Sequence, residues 1–140
     1  GLGRIVHPIH DQVAVLDAML QDPAMKNLYF DISWDEVAKY ITSSDTAIAR
    51  TVRLIEKYPD RFLFGTDNVA PATQEKHLKV YHMYAPLWKA LKPTTSHAVR
   101  LGNYERLFDA ARAKVRQWEA ENGTKPRPIP AHTPASGAPR

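Results

Sequence analysis

Apolar side chains recur at two different spacings in the first half of the chain. Spaced three to four residues apart, they mark one face of a helix, and in short runs rich in aromatic and β-branched residues they mark a buried strand. The predicted elements are a helix at residues 11–20, a strand at 27–33, a helix at 45–57 and a strand at 62–67. Because helix and strand alternate, this order is that of a βαβ unit preceded by a helix. The pattern therefore predicts an α/β fold with a parallel sheet.

The first two long helices have a cap and an apolar stripe that can be named from the sequence. Asp11 precedes the first helix and Ser44 or Asp45 begins the second, and all three are favoured capping residue types. The stripes are expected to consist of Val13, Leu16 and Leu20 in the first helix and of Ile48, Val52 and Ile55 in the second. A short helical segment at residues 34–41 is expected to follow the first strand.

The second half of the chain is predicted to be helical. A helix can begin after Thr73 and extend to about residue 91, and Pro86 should kink or divide it because the proline ring clashes with the preceding turn. Its inward side is expected to be Leu78, Tyr81, Ala85, Trp88 and Leu91.

A long amphipathic helix is predicted at residues 104–121, with Phe108, Ala111, Val115 and Trp118 on one side. Residues 122–140 contain five prolines and no acidic residue, and this composition predicts a disordered tail. The domain organisation that follows is one folded unit at residues 1–121 and a basic, proline-rich tail.

Composition excludes several classes of protein. The net charge is +4, but residues 122–140 contribute +3 of it, so the folded unit has no basic surface of the kind that binds nucleic acid. No apolar run approaches the ~20 residues that cross a membrane. The chain has no cysteine and no visible signal peptide, and a cytoplasmic protein is the expectation.

Each predicted strand has a carboxylate near its carboxyl end, where parallel α/β folds collect ligands and catalytic groups. Side chains alternate along a strand, so Asp67 shares a face with Leu63 and Gly65, and Asp31 shares one with Ser33. Two simpler interpretations stay open: Asp67 turns the chain, or Asp31 is a hydrogen-bonded structural carboxylate.

The order of three motifs resembles a known family. They are Asn-Leu-Tyr-Phe-Asp-Ile-Ser at residues 27–33, Asp-Arg-Phe-Leu-Phe-Gly-Thr-Asp at 60–67 and Leu-Gly-Asn-Tyr-Glu-Arg-Leu-Phe at 101–108. Together they resemble the C-terminal part of the metal-dependent amidohydrolase superfamily, in particular its amidohydrolase-2 group. That resemblance implies a TIM barrel of which the two strands are the seventh and eighth, and a structural role for the helix that contains Asn103.

The resemblance also implies an activity and a set of site residues. Members are hydrolases and metal-dependent decarboxylases of small substrates, and the Asp of the eighth-strand motif, here Asp67, is a metal ligand and a proton-transfer group. Zinc is the expected metal. Asp31, Trp34 and Arg4 are the candidates for contacts with the substrate, as a polar group, an aromatic wall and a cation respectively. A homo-oligomer is compatible with the sequence.

The family's histidine ligands, including the His-x-His pair of the first strand, are not in this chain. The six histidines present are expected to be surface or packing residues, because none of them has the spacing of a zinc pair. The chain is therefore interpreted as the C-terminal part of a barrel that is inactive alone. The alternative hypothesis is a small α/β module that binds a protein through its helices or tail and has no activity.

Overall fold

A computed structural model describes residues 11–123 of the 140-residue chain. Within that range the structure contains seven α-helices, a single 3₁₀ turn at Pro23–Met25, two strands and two π-helical turns. The helices are α1 (Gln12–Gln21), α2 (Asp35–Ile41), α3 (Asp45–Lys57), α4 (Gln74–Met83), α5 (Ala85–Ala90), α6 (Pro93–His97) and α7 (Ala110–Asn122). The strands are β1 (Phe30–Asp31) and β2 (Phe62–Leu63). The predicted mixed α/β class is confirmed.

The two strands pair in parallel, with Phe30 opposite Phe62 and Asp31 opposite Leu63. Each strand is shorter than the sequence predicts, because the strands pair only with each other among the described residues and a ladder of two strands contains few hydrogen bonds. The crossover between them consists of α2 and α3, as in a βαβ unit.

The sheet has one packed face and one that is largely uncovered. On the packed face, Ile32 and Phe62 are buried in the hydrophobic core with residues of α3 and α5 such as Ile55 and Leu87. On the opposite face Asp31 is exposed, and Leu63 is half-buried and takes no part in the core that the described residues form. The sheet is therefore a single layer that buries only one side.

Three helices have the caps expected from the sequence. The side chain of Asp11 accepts a hydrogen bond from the backbone N–H of Ala14, as Ser44 does from Ala47 and Thr73 from Lys76. Each cap satisfies one of the backbone donors that the first turn of a helix leaves unpaired.

The predicted inward side of the helix that follows Thr73 was partly wrong. Leu78 is 41% exposed and Ala85 is exposed, whereas Val80, Tyr84 and Leu87 are buried. The buried residues Val80, Tyr84, Leu87 and Leu91 are four, three and four residues apart, so a single helical face continues across the break after Met83. That face is rotated by about a quarter of a turn from the predicted one, because packing on the sheet decides which face is buried. The division at Pro86 itself is confirmed.

The helix predicted at residues 104–121 is continuous with the helical segment that precedes it. α6 continues through π-helical turns at Ala98–Gly102 and Glu105–Asp109 into α7. Val99 and Asn103 are buried, but every residue of α7 is exposed. The apolar side of the predicted helix therefore faces solvent within the described part of the chain.

None of the helices between residues 11 and 123 is both long enough and apolar enough to cross a membrane. The predictions for Arg4 and for most of the tail concern residues 1–10 and 124–140, which lie outside the described residues.

Candidate functional site

The carboxyl ends of the two strands meet at one edge of the sheet, because the strands are parallel and paired in register. The chain leaves β1 through Trp34 and leaves β2 through Thr66 and Asp67. Trp34 and Asp67 line the same small cavity, of about 200 Å³, together with Asp35 at the start of α2. The structure thus brings together two of the four site residues that the sequence singles out.

Both of these residues have an unusual backbone conformation. Trp34 has a φ of 95° and Asp67 a φ of 45°, a region that residues other than glycine seldom adopt. A backbone of this kind persists where the surrounding structure imposes it, and such positions cluster at active sites and ligand clamps. Asp is among the residues that adopt a positive φ in turns, so Trp34 is the position that distinguishes this edge from an ordinary pair of turns.

Tyr84, which lies between α4 and α5, contacts the loop that contains Trp34. Its ring is fully buried, and its hydroxyl oxygen lies 2.5 Å from the carbonyl oxygen of Ile32 and 2.7 Å from that of Trp34. Burial raises the pKa of Tyr84 well above its usual range, and the nearby carboxylates of Asp31 and Asp35 raise it further. The phenol therefore stays neutral and remains a hydrogen-bond donor to the end of β1.

A second set of contacts joins the two strands on the uncovered face. The Asp31 carboxylate accepts hydrogen bonds from the Ser33 hydroxyl and, at 2.8 Å, from the Ser33 backbone N–H. The Ser33 hydroxyl oxygen in turn accepts the backbone N–H of Gly65 at 2.6 Å. A β-carbon on Gly65 would lie only 3.1 Å from that oxygen, so the close approach favours glycine at this position.

Asp31 does not line the cavity of Trp34 and Asp67. It borders a neighbouring cavity of about 340 Å³ at the free edge of β1, whose walls come mainly from α1, α2 and α3. With its carboxylate engaged by Ser33, Asp31 is placed to stabilise the sheet, and the structure does not bring it to the same site as Asp67.

The loop after β2 exposes Asp67 and anchors its neighbour. The side chain of Asp67 is exposed, and the side-chain amide of Asn68 donates to the carbonyl oxygen of Lys76 in α4 at 3.1 Å. Sequence reasoning missed Asp35 and Lys76, which complete the polar wall of this cavity. Asp35 immediately follows Trp34, so its position after a strand end was an available signal; Lys76 is brought in from a helix and had none.

Asp35 is partly neutralised by Lys39 one helical turn later. The Lys39 ammonium lies 3.0 Å from the Asp35 carboxylate and 2.6 Å from that of Glu36. These contacts raise the pKa of Lys39, with the Glu36 hydrogen bond as the largest cause. Asp67, the other carboxylate in this cavity wall, makes no ion pair with any of the described residues.

The expected zinc site can be compared with the donor groups that are present. Between residues 11 and 123 no group of three or more histidine, aspartate or glutamate side chains is arranged to hold a metal ion. The exposed carboxylate of Asp67 fits the chemistry of one zinc ligand, and a structural or catalytic zinc site takes three or four. The described residues therefore contain no complete zinc site.

A larger groove, of about 770 Å³, lies on the other side of β2. Its walls include the aromatic rings of Phe64, Tyr81 and Trp88, and the guanidinium group of Arg100 lies over the last two at 5.4 and 5.7 Å from their ring centres. The indole nitrogen of Trp88 is buried and has no hydrogen-bond acceptor among the described residues. Neither Asp67 nor Trp34 lines this groove, so it is separate from the candidate site.

The helical turn that contains Asn103 is hydrogen-bonded to β2 and to the turn before it. The buried Asn103 amide donates to the carbonyl oxygens of Pro59 and Phe62, at 2.8 and 2.9 Å, and Arg106 donates to that of Asp60 at 2.8 Å. These contacts fix the turn and the strand that precede Asp67, which is a structural role.

Comparisons of the chain with protein-family models, with curated proteins and with solved structures found no match. What the chain defines by itself is a mixed α/β unit with a parallel strand pair and a polar cavity at the carboxyl edge of that pair.

Proposed function

We propose that this chain is the C-terminal part of a TIM-barrel, metal-dependent hydrolase of the amidohydrolase type, which hydrolyses or decarboxylates a small substrate. The observation that supports the proposal most is the meeting of Trp34 and Asp67 around one cavity at the carboxyl edge of two parallel strands. Both residues have positive φ values there, and this edge is where barrel enzymes place their active sites.

The uncovered sheet face supports the barrel interpretation. In a closed barrel every strand is paired on both sides, and its inner face is filled by side chains from several strands. In the described residues β1 and β2 pair only with each other, and Asp31, Ser33 and Leu63 lie on the face that no core covers. Further parallel strands would pair with the free edges of β1 and β2 and would cover this face.

Each site residue then has a chemical role. A zinc ion, when bound, lowers the pKa of its water from 15.7 toward ~7. Asp67 would hold the metal as one of its ligands and accept or return the proton that moves during the reaction. Trp34 would form an aromatic wall beside the substrate. Arg4, which lies outside the described residues, stays a candidate cation for an anionic substrate group, whereas Asp31, engaged by Ser33 outside the Asp67 cavity, is given no contact with the substrate.

A second candidate function is a non-enzymatic module that binds another protein. The observation that favours it is the helix α7, whose large apolar side chains are exposed, with Val115 at 53% and Trp118 at 57%. An exposed apolar surface of this kind marks an interaction site and does not require any chemistry.

One substitution separates the two functions. In the gene product that contains this chain, Asp67→Asn keeps the shape of the side chain and removes the charge and the proton-accepting oxygen. We expect turnover of small amide, ester or carboxylate substrates to fall by at least ~10²–10⁴-fold. Asp31→Asn is the matched control and should cost much less, because Asp31 already bonds to Ser33 and lies outside the Asp67 cavity.

Two results would count against the enzyme proposal. Turnover within about threefold of normal in Asp67→Asn would make Asp67 a turn residue, and a complete lack of metal-dependent turnover in the unaltered gene product would favour the binding module. The coding sequence that precedes Gly1 offers a cheaper observation, because a strand ending in His-x-His there would supply the missing metal ligands.

A further inference from the structure

The helix α7 extends from the body of the protein with an apolar stripe that the described residues leave uncovered. All of its residues are exposed, and its packing contacts are with the π-helical turn that precedes it. Ala111, Val115 and Trp118 are spaced four and three residues apart, which places them on one face of the helix. A 13-residue helix with such a face is about 20 Å long, enough to pack along another helix of the same length.

The charges of α7 are segregated along the helix. Its first half contains Arg112, Lys114 and Arg116, and its second half contains Glu119 and Glu121. The two acidic residues lie near the carboxyl end, where the helix dipole is partially negative and disfavours them. Within the helix, Arg112 pairs with Asp109 at 3.6 Å and Arg116 with Glu119 at 2.8 Å, whereas Lys114 and Glu121 have no ion pair among the described residues. A neighbouring helix of opposite polarity would therefore add unlike-charge partners.

We propose that α7 is a self-association surface, on which α7 of a second copy of this chain packs in antiparallel orientation. In that arrangement the basic half of each helix lies beside the acidic half of the other. The occupant is a second copy because α7 itself has the complementary charges and the complementary apolar stripe. An isologous two-fold contact of this type closes on itself and gives a dimer.

The register follows from the positions of the charges around the stripe. On an α-helix, Arg112 and Glu119 flank the stripe on one side, and Lys114 and Glu121 flank it on the other. Placing Val115 opposite Trp118 of the second copy brings Arg112 next to Glu119 and Lys114 next to Glu121. By symmetry each of these pairings occurs twice, so four unlike-charge pairs surround the apolar contact.

Other orientations are less favourable. Sliding the antiparallel helices by one heptad, so that Phe108 faces Trp118 of the second copy, places Arg112 beside Arg112 and Lys114 beside Lys114 across the two-fold axis. A parallel pair keeps the basic halves together and the acidic halves together. Like charges directly opposite each other are destabilising, and the proposed register avoids them.

The proposed contact is small, so the dimer should be weak. Two helices of this length bury less than the ~1,200 Å² that characterises stable protein–protein interfaces. We therefore expect dissociation in the micromolar range, with the weight-average mass rising from monomer toward dimer between about 1 and 500 µM in sedimentation equilibrium.

Disulfide trapping tests the orientation of the two helices. The chain has no cysteine of its own, so none competes with the introduced cysteines. The proposed register places Ala111 opposite Asn122 of the second copy, and a disulfide forms when facing Cα atoms approach to ~4.4–6.8 Å. When full-length Ala111→Cys and Asn122→Cys proteins are mixed in a glutathione buffer, the mixed 111–122 species should predominate by mass spectrometry. Ala113→Cys with Ala120→Cys is the matched control, since the two positions have the same register on the opposite face of α7.

Each outcome decides the proposal. A mixed 111–122 yield at least about tenfold above the 113–120 yield supports it. Predominance of 111–111 and 122–122 species would show a parallel pair, and equal yields from both faces would show that α7 has no specific contact; either result overturns the proposal.

A charge exchange gives an independent readout. Arg112→Glu with Lys114→Glu in one protein, and Glu119→Lys with Glu121→Lys in another, should each weaken self-association by at least about tenfold. An equimolar mixture of the two should regain the dimer, because every pair is again of unlike charge. Ala113→Glu with Ala120→Glu adds charge on the far side of α7 and should leave the dissociation constant unchanged. Failure of the mixture to associate would contradict the proposed pairing.

Discussion

At the scale of single residues, the backbone of Trp34 separates the end of β1 from an ordinary turn. The alternation of side chains along the strands was enough to predict that Asp67 lies at the carboxyl end of the sheet. It could not predict the positive φ of Trp34, because a bulky residue seldom adopts that region, whereas Asp adopts it more readily in turns. The conformation is imposed by tertiary contacts, among which the Tyr84 hydroxyl on the Trp34 carbonyl is the clearest.

Tyr84→Phe should therefore destabilise the fold. The substitution keeps the ring in the core but removes the donor to the Ile32 carbonyl oxygen and leaves the Trp34 carbonyl oxygen with the Ala38 N–H alone, which costs about 1–3 kcal/mol of unfolding free energy. Urea denaturation measures the loss. Tyr40→Phe, at a residue that is 51% exposed, is the control and should change the unfolding free energy little.

The same phenol predicts a dependence of stability on alkaline pH. Burial raises the pKa of Tyr84 in the folded state above the value of about 10 that the unfolded chain has, so the folded state favours the neutral phenol. Its contribution is complete below pH ~10 and is lost as the pH rises above that value. Tyr84→Phe should remove this part of the decline in unfolding free energy between pH ~9 and ~11, and an identical decline in both proteins would argue against the raised pKa.

Gly65→Ala tests the cross-strand contact beneath Asp67. The new β-carbon would approach the Ser33 hydroxyl oxygen to 3.1 Å, and that oxygen is held by Asp31 and by the Gly65 N–H, so it cannot move freely. We expect a loss of about 1–3 kcal/mol in unfolding free energy. In the Ser33→Ala background the loss should be much smaller; additive losses in this double-mutant cycle would mean that the two residues do not interact.

At the scale of elements, the caps were predictable and the buried faces only in part. Asp11, Ser44 and Thr73 cap their helices because capping depends on a local sequence of a few residues. The inward side of α4 and α5 was misjudged because the apolar spacing fits two neighbouring faces of one helix, and the face that contains Val80, Tyr84 and Leu87 is the one buried. The helix face that docks on β2 is decided by tertiary packing, and the spacing of apolar residues does not reveal it.

The segment around Asn103 is the element that ties the C-terminal helices to β2. Asn103→Ala removes both donors to the Pro59 and Phe62 carbonyl oxygens from a site that is 3% exposed, and should lower the unfolding free energy by about 1–3 kcal/mol. Asn122→Ala, at the exposed end of α7, serves as the control with an effect within about 0.5 kcal/mol. Equal effects of the two substitutions in thermal denaturation would remove Asn103 from this role.

At the scale of the whole molecule, the described residues form a single core on one side of a two-stranded sheet. Sequence reasoning predicted the parallel pair, because two strands separated by helices favour that connection. It did not predict that the described residues leave the face of Asp31 and Leu63 uncovered, because the side of a sheet that is packed depends on contacts between distant parts of a chain.

Zinc affinity is the most direct measurement of the central claim that Asp67 is one ligand of a shared metal site. In the gene product that contains this chain, competition with a chromophoric chelator should show one zinc ion per active site, and Asp67→Asn should weaken its binding by at least about tenfold. Residues 1–140 expressed alone should show no tight, stoichiometric binding, because the described residues offer no set of three ligands. Zinc bound with unchanged affinity by the Asp67→Asn protein would contradict the account.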